Sequence, residues 1–168
     1  GGLASSSEAY YSFDYGNTHF ICLDSYAYGK DNKRIFDGPS DQLTWLKNDL
    51  KSTKQLWKVV FFHYPPYTKG TYDSDLVPDL INLRAILARV FDEFNVDLVL
   101  TGHSHIYERS MLMDGAYSTN ATVAENFILD DGDGDPRGDG AYLKGAGLRP
   151  HEGAVQVVAG HSGASLGR

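Results

Sequence analysis

Apolar and polar positions alternate along this chain with two different periods, and the switches between them mark out its elements. Tyr10-Tyr11-Ser12-Phe13-Asp14-Tyr15 alternates with period two, and His19-Phe20-Ile21-Cys22-Leu23-Asp24 reads as a second strand. Gly16-Asn17 between them both tolerate positive φ, which predicts a hairpin. Asp24 to Gly38 is polar and loop-like. A helix then begins at Pro39-Ser40, with Ser40 as its cap and Leu43, Leu46 and Leu50 as its buried stripe. Trp57-Lys58-Val59-Val60-Phe61-Phe62 is the next strand, and it is stopped by Pro65-Pro66, which cannot continue a ladder. From Asp79 to Phe94 the positions of Leu80, Leu83, Leu87, Val90 and Phe94 keep helical spacing, widened by Ile86 and Phe91. Val96-Asp97-Leu98-Val99-Leu100 follows as a buried strand. Another short strand is expected within Arg109 to Asp114, and Ala154 to Ala159 supplies a final one. Residues 115–150 are a Gly/Asp-rich excursion with room for a short hairpin. Strand, helix, strand, helix, strand in that order predicts α/β layering.

The totals narrow the functional classes. At 168 residues the chain can bury one real core, and 42% hydrophobic with 22% charged residues is ordinary globular composition. A net charge of −7 argues against nucleic acid and anionic membrane as partners, since both reward excess Lys and Arg. No apolar run approaches a membrane span. Cys22 is the only cysteine, so neither an intrachain disulfide nor a zinc-thiolate cluster can form. The start at Gly1-Gly2-Leu3 and the close on Ser165-Leu166-Gly167-Arg168 read as a piece of a longer protein.

The chemistry concentrates after two strands. Thr101-Gly102-His103-Ser104-His105 follows one and His63 ends the other. In an extended segment residues i and i+2 share a side, so His103 and His105 are expected to converge. If both strands lie in one sheet, His63 reaches the same edge. Neutral imidazole is the commonest transition-metal ligand in proteins, and open α/β sheets bind ligands at the carboxyl ends of their strands. A metal site built on His63, His103 and His105 is therefore the reading, against the alternative that each is a hydrogen-bonded structural residue.

Phe62-His63-Tyr64-Pro65-Pro66-Tyr67 and Gly102-His103-Ser104-His105-Ile106-Tyr107-Glu108-Arg109 resemble the last two motifs of the calcineurin-like metallophosphoesterases, and the second resembles the purple acid phosphatase branch. Tyr11 to Asp24, Asp41 to Leu50 and Val155 to Gly160 are similar to that branch as well, so the likeness covers most of the chain. The resemblance implies the C-terminal half of an αββα sandwich, two mixed sheets face to face with helices outside. It implies a binuclear centre, iron paired with zinc, manganese or iron, that hydrolyses phosphate esters through metal-bound hydroxide. On that pattern His63 and His103 ligate one ion and His105 the other. The substrate implied is a phosphate monoester. A phosphodiesterase or nucleotidase on the same scaffold, or a non-catalytic domain that keeps the fold, are the alternatives. A metallo-β-lactamase pattern fits poorly, because Tyr107-Glu108 stands where it needs Asp-His. Export to a secreted or periplasmic location is also implied by resemblance alone.

The departures are equally specific. The family's upstream Asp-x-His, Gly-Asp and Asn-His motifs do not occur, and Gly16-Asn17-Thr18-His19 matches the last only superficially, so His19 reads as a strand residue. Without a bridging carboxylate two like-charged ions cannot be held close together. The chain alone is therefore expected to lack the complete centre, to be inactive, and to need the missing N-terminal half of its domain as partner. Apolar sheet surface left uncovered should make it marginally stable or aggregation-prone. Tyr72 stands where related proteins place a histidine facing the phosphate, and is a candidate substrate contact. Glu108 and Arg109 are expected to pair behind the site, while structural roles are expected for His151 and His161. Asp131, Asp133 and Asp135 alternate as in a calcium loop, but no glutamate closes it and Pro136 interrupts. Asn120-Ala121-Thr122 is a glycosylation sequon.

Overall fold

The structure, a computed structural model, describes residues 1–118, 125–145, 149–161 and 163; the Asn120 sequon lies outside them. Strands β1 (Tyr11–Tyr15) and β2 (Thr18–Cys22) form the expected hairpin, with Gly16 at a φ of 60° in its turn. Helix α1 (Asp41–Ser52) is capped by the Ser40 hydroxyl, which accepts the Leu43 N–H at 3.2 Å. Strand β3 (Trp57–Phe61) leads through a loop to helix α2 (Pro78–Glu93), which Pro78 opens because its missing N–H would have no partner there. Asn95, at a φ of 53°, reverses the chain after α2 so that the Val96 N–H bonds back to the Phe91 carbonyl at 2.8 Å. Strand β4 (Leu98–Thr101) follows directly. The short β5 (Tyr107–Arg109) and β6 (Leu112–Met113) divide what reads in sequence as one strand. In the excursion, β7 (Ile128–Asp130) pairs antiparallel with β6, and β8 (Val155–Ala159) returns the chain to the main sheet.

That sheet has the order β1-β2-β3-β4-β8-β5. Its interior strands β2, β3, β4 and β8 run parallel, and the edge strands β1 and β5 run antiparallel to their neighbours. The two faces differ. Ile21, Val60 and Val99 are register partners across β2, β3 and β4, and they share one buried cluster with Leu46 and Leu50 of α1 and Leu83 and Leu87 of α2. Both helices thus cover the same face. The opposite face carries Phe13 stacked on Phe20 with ring centroids 5.2 Å apart, and leaves Tyr11, Phe13, Trp57 and Leu100 exposed. One helical layer on one sheet is half of the sandwich expected from the sequence. No helix among the described residues is long and apolar enough to cross a membrane.

The loop after β2 is less polar in role than in composition. Ile35 and Phe36 are fully buried in the core, and the Arg34 guanidinium lies 4.4 Å over the Phe36 ring while pairing with Asp37 and Asp79. Two isolated apolar residues in a polar stretch give no period to read, so their burial is a tertiary effect.

Candidate metal-binding edge

β3 and β4 pair in parallel with Phe61 opposite Leu100, so the residues just past their ends are neighbours. The Gly102 N–H donates to the His63 carbonyl at 3.0 Å, which continues the ladder one step beyond the strands. From there the rings of His63 and His103 meet, with Nε2 of one 3.2 Å from Nδ1 of the other and an interplanar angle of 77°. Two nitrogens each 2.0–2.1 Å from one tetrahedral ion stand roughly 3.3 Å apart. The observed spacing therefore suits two lone pairs aimed at a common cation.

The histidine motif is a turn rather than an extended segment. His103 has a φ of 66°, and the Ser104 N–H bonds to the Gly102 carbonyl at 2.8 Å, closing a three-residue turn around it. A second tight turn follows, with the Ile106 N–H on the Ser104 carbonyl at 2.8 Å. The alternation argument for His103 and His105 therefore does not apply, and the ring that His103 meets is His63. His105 is exposed and makes no side-chain hydrogen bond among the described residues. A histidine at positive φ is a strained placement of the kind that clusters at functional sites, and the surroundings hold it there. Ser104 is fully buried, and its hydroxyl accepts from Thr68 at 3.0 Å. Gly160, just past β8, lies so close that a Cβ there would stand 2.0 Å from the Ser104 carbonyl oxygen.

The same Thr68 begins a loop that brings Tyr72 back over the site. The Tyr72 ring stacks on His103 at 4.0 Å and 25°, and Tyr64 meets the same imidazole edge-on at 4.6 Å. The loop is fixed by the Ser74 hydroxyl against the Thr68 backbone, by Lys69 on Asp73 and Asp75, and by the Lys69 N–H on Glu108 at 2.8 Å. Burial lowers the pKa of His103, and the neighbouring charges of His63 and His105 lower it further. A lone pair on His103 is thereby kept available near neutral pH, which ligation requires.

Other sequence expectations meet the structure unevenly. Glu108 and Arg109 do not pair: they are consecutive in a strand and point to opposite faces. Arg109 donates instead to the Asp133 carbonyl and lies 5.6 Å over the Tyr142 ring. His151 contacts Asp114 at 3.1 Å, and His161 stays near the Ile106 carbonyl at 3.4 Å. The acidic run is satisfied locally: Asp130 accepts the Gly132 N–H, Asp133 accepts that of Asp135, and Asp139 accepts that of Asp133. Gly160 and the Ser104–Thr68 hydroxyl pair are positioning features that the sequence reading passed over. A glycine at the end of an apolar strand is a sign of close backbone approach, and was the available signal.

Whether the chain can hold a binuclear centre is answered by its donor set. Among the described residues no group of three or more His, Cys, Asp or Glu side chains is arranged to hold a metal. The facing imidazoles fit a partial coordination sphere for one ion. They do not fit two, because among the described residues no carboxylate stands beside them to bridge like charges.

The chain is thus a helix-covered mixed sheet with paired imidazoles at the carboxyl edge of two adjacent parallel strands. The calcineurin-like phosphoesterase family matches residues 2–107, and the chain belongs to that family. Its similarity within it is to purple acid phosphatases. It is 32% identical over 117 residues to purple acid phosphatase 18 of Arabidopsis thaliana, covering 68% of this chain and 24% of that protein. It is 34% identical over 111 residues to purple acid phosphatase 13 of the same plant, covering 63% and 18% respectively. The structure of purple acid phosphatase PPD1 from yellow lupin superposes with a TM-score of 0.67 over 95% of this chain and 24% of that one, at 22% identity, which shows a shared fold. The chain thus spans about a quarter of the length of the first of these relatives and less of the second.

Proposed function

We propose that this chain carries the histidine half of a metal-dependent phosphate-ester hydrolase, most fittingly a phosphomonoesterase of the purple acid phosphatase kind. The observation that carries the reading is the 3.2 Å approach of His63 Nε2 to His103 Nδ1 at the ends of adjacent parallel strands. His63 and His103 would hold one ion, and His105, exposed beyond the turn, would serve a second. Bound metal ions polarise a phosphoryl oxygen and stabilise the leaving oxygen, with iron plus zinc, manganese or iron as the pairing that the family likeness favours. The chain's own contribution is to fix the two rings, to keep His103 neutral, and to lay Tyr72 over it. From there the phenol can donate a hydrogen bond to a phosphate ester. The carboxylate ligands would come from the missing N-terminal half of the domain, whose sheet would cover the bare apolar face. On the same family likeness, the full protein would be secreted or periplasmic.

The test has two arms. Cobalt(II) titration of the 168-residue chain should give a weak, saturable imidazole-to-metal absorption that disappears in His63→Ala and in His103→Ala. Hydrolysis of p-nitrophenyl phosphate by the chain alone should not exceed metal-only blanks, and should appear when the chain is expressed with upstream Asp-x-His and Gly-Asp motifs. A chelator-sensitive rate from the isolated chain would show that the centre is complete here. Cobalt binding indifferent to both alanine variants would remove the metal assignment itself.

A further inference from the structure

The loop between β3 and α2 carries Tyr72 over the histidine edge, and a buried hydroxyl joins that loop to the turn beneath it. Thr68 and Ser104 are both buried. The Thr68 hydroxyl donates to the Ser104 hydroxyl at 3.0 Å and accepts the Gly70 N–H at 3.1 Å. Gly70 stands two residues before Tyr72, and Ser104 directly follows His103. The same oxygen therefore reaches both segments. At Gly70 the loop backbone lies directly on the turn: a Cβ there would meet the Ile106 side chain and stand 3.1 Å from the Ser104 Cβ.

The other attachments of the loop serve different ends. Lys69 pairs with Asp73 and Asp75 within the loop itself, at 63% side-chain exposure, where ion pairs contribute little. The Lys69 N–H on Glu108 ties the loop to β5. Ser74 accepts the Thr68 N–H at 3.1 Å and donates to the Thr68 carbonyl at 3.2 Å, with Arg84 of α2 behind it at 3.4 Å. Those bonds fix the Thr68 backbone from the helix side and leave its hydroxyl to make the crossing to the histidine turn. Tyr72 is 41% exposed and His103 holds a φ of 66°, so burial alone fixes neither. We infer that Thr68 is a positioning residue for the proposed reaction: its hydroxyl holds the Tyr72 ring on His103 and braces the ligand turn that the Ser104 N–H closes. The purpose of this role rests on the metal reading, while its geometry stands apart from it. Thr68 acts through Tyr72 and His103 and touches neither substrate nor ion. Removing the hydroxyl leaves the buried Ser104 hydroxyl without that donor and frees the Gly70 N–H, and the strain at His103 then favours a relaxed turn. The stacked ring and the imidazole lose their register together.

The first arm of the test uses the 168-residue chain without metal. A phenol stacked at 4.0 Å moves the carbon-bound protons of the His103 ring upfield in the NMR spectrum, where they are assigned by their loss in His103→Gln. Tyr72→Leu marks the unstacked position. Thr68→Val, which keeps the branched shape and deletes the hydroxyl, should move these signals at least halfway to that mark. Thr68→Ser, which keeps the hydroxyl, should leave them where the parent chain has them. In the second arm, a cobalt(II) titration, Thr68→Val should weaken binding by about three- to tenfold, the scale of one lost hydrogen bond, and Thr68→Ser by less than about twofold. Parent-like His103 signals in Thr68→Val would overturn the inference, as would equal displacement by the valine and serine variants, because a merely structural role lowers stability without moving the ring. So would cobalt affinity that Thr68→Val leaves unchanged while His103→Ala abolishes it. If Thr68→Val fails to fold, Ser104→Ala removes the same bond from its other end, and parent-like signals there would be equally decisive against it. Cobalt binding indifferent to His63→Ala and His103→Ala would defeat the metal reading alone, and the metal-free spectra would still decide whether Thr68 places Tyr72.

Discussion

The molecule holds histidines in two opposite ways. His19, in β2, is 1% exposed, and both ring nitrogens are taken: Nδ1 meets Asp14 at 2.6 Å and Nε2 meets the fully buried Asp49 at 2.8 Å. His63 and His103 stand near the surface with nitrogens turned toward each other and, among the described residues, no acid paired with them. The first ring is saturated by carboxylates and ties the β1–β2 hairpin to α1. The second pair is held only by the contact of one ring with the other and, for His103, in a strained backbone. A histidine is spent on structure where acids surround it, and is available as a ligand where the fold withholds them.

The largest effect that would test this contrast lies at Asp49. Asp49→Ala leaves the buried His19 without its Nε2 partner and the Leu3 N–H without its acceptor, which now sits at 2.7 Å. Breaking a buried pair by removing one partner costs about 3–5 kcal/mol, enough to unfold a chain with one bare sheet face. Urea denaturation should show it, while His63→Ala should change the midpoint little. Equal, small losses at both positions would erase the distinction drawn between the two sites.

Next comes Gly160→Ala. Its new methyl would meet the Ser104 carbonyl, which is backbone and has little freedom to yield, so the histidine turn must shift. Overpacking of this kind costs about 1–3 kcal/mol. Because Ser104 follows His103, cobalt affinity should fall along with stability. Unchanged cobalt binding in a destabilised variant would mean that Gly160 supports the sheet and not the ligand geometry.

The pH dependence sharpens the comparison further. Burial pulls the His19 pKa down, but its hydrogen bonds to Asp49 and Asp14 outweigh that and leave it raised. The folded state then holds its proton more tightly than the unfolded one. That stabilisation is complete below the unfolded value of 6.5 and is lost as pH climbs through the folded value. Asp92 works in the same direction over a different window. Burial, and then the hydrogen bond with Asp114, raises its carboxyl from 3.8 to about 7, so stability falls between those values. Urea unfolding across the pH range should separate them: Asp92→Asn flattens the decline below neutrality, and His19→Gln flattens the part above 6.5. A rise in stability with pH across either window would contradict the stated sign.

How much of this was legible beforehand follows from the range of each interaction. The hairpin, both helices and the strands that deliver His63 and His103 were readable, because period, cap and turn residues are local signals. The meeting of His63 with His103 was readable only conditionally, since it required β3 and β4 to be adjacent, and parallel pairing across α2 leaves no mark in either strand. The turn at His103 leaves no local signal, because the backbone that packs against it, at Gly160, arrives from a strand more than fifty residues on. Asp14, His19 and Asp49 were invisible as a unit: two lie in a hairpin and one in a helix thirty residues on.

The smallest effect is the most discriminating. His103 at a φ of 66° carries the cost of a non-glycine residue in the left-handed region, about 1–3 kcal/mol. It regains part of that through the stacked Tyr72 ring, about 0.5–1.5 kcal/mol for an aromatic pair. Replacing it with glycine removes both terms and adds about 0.5–1 kcal/mol of unfolded-state entropy. The three nearly cancel, so His103→Gly should unfold within about 1 kcal/mol of the parent chain in urea. The same variant should lose cobalt binding entirely. A residue whose removal leaves the fold intact and abolishes the metal signal is placed for chemistry. If His103→Gly instead unfolds the chain as Asp49→Ala does, the paired rings are a structural contact, and the contrast with His19 disappears.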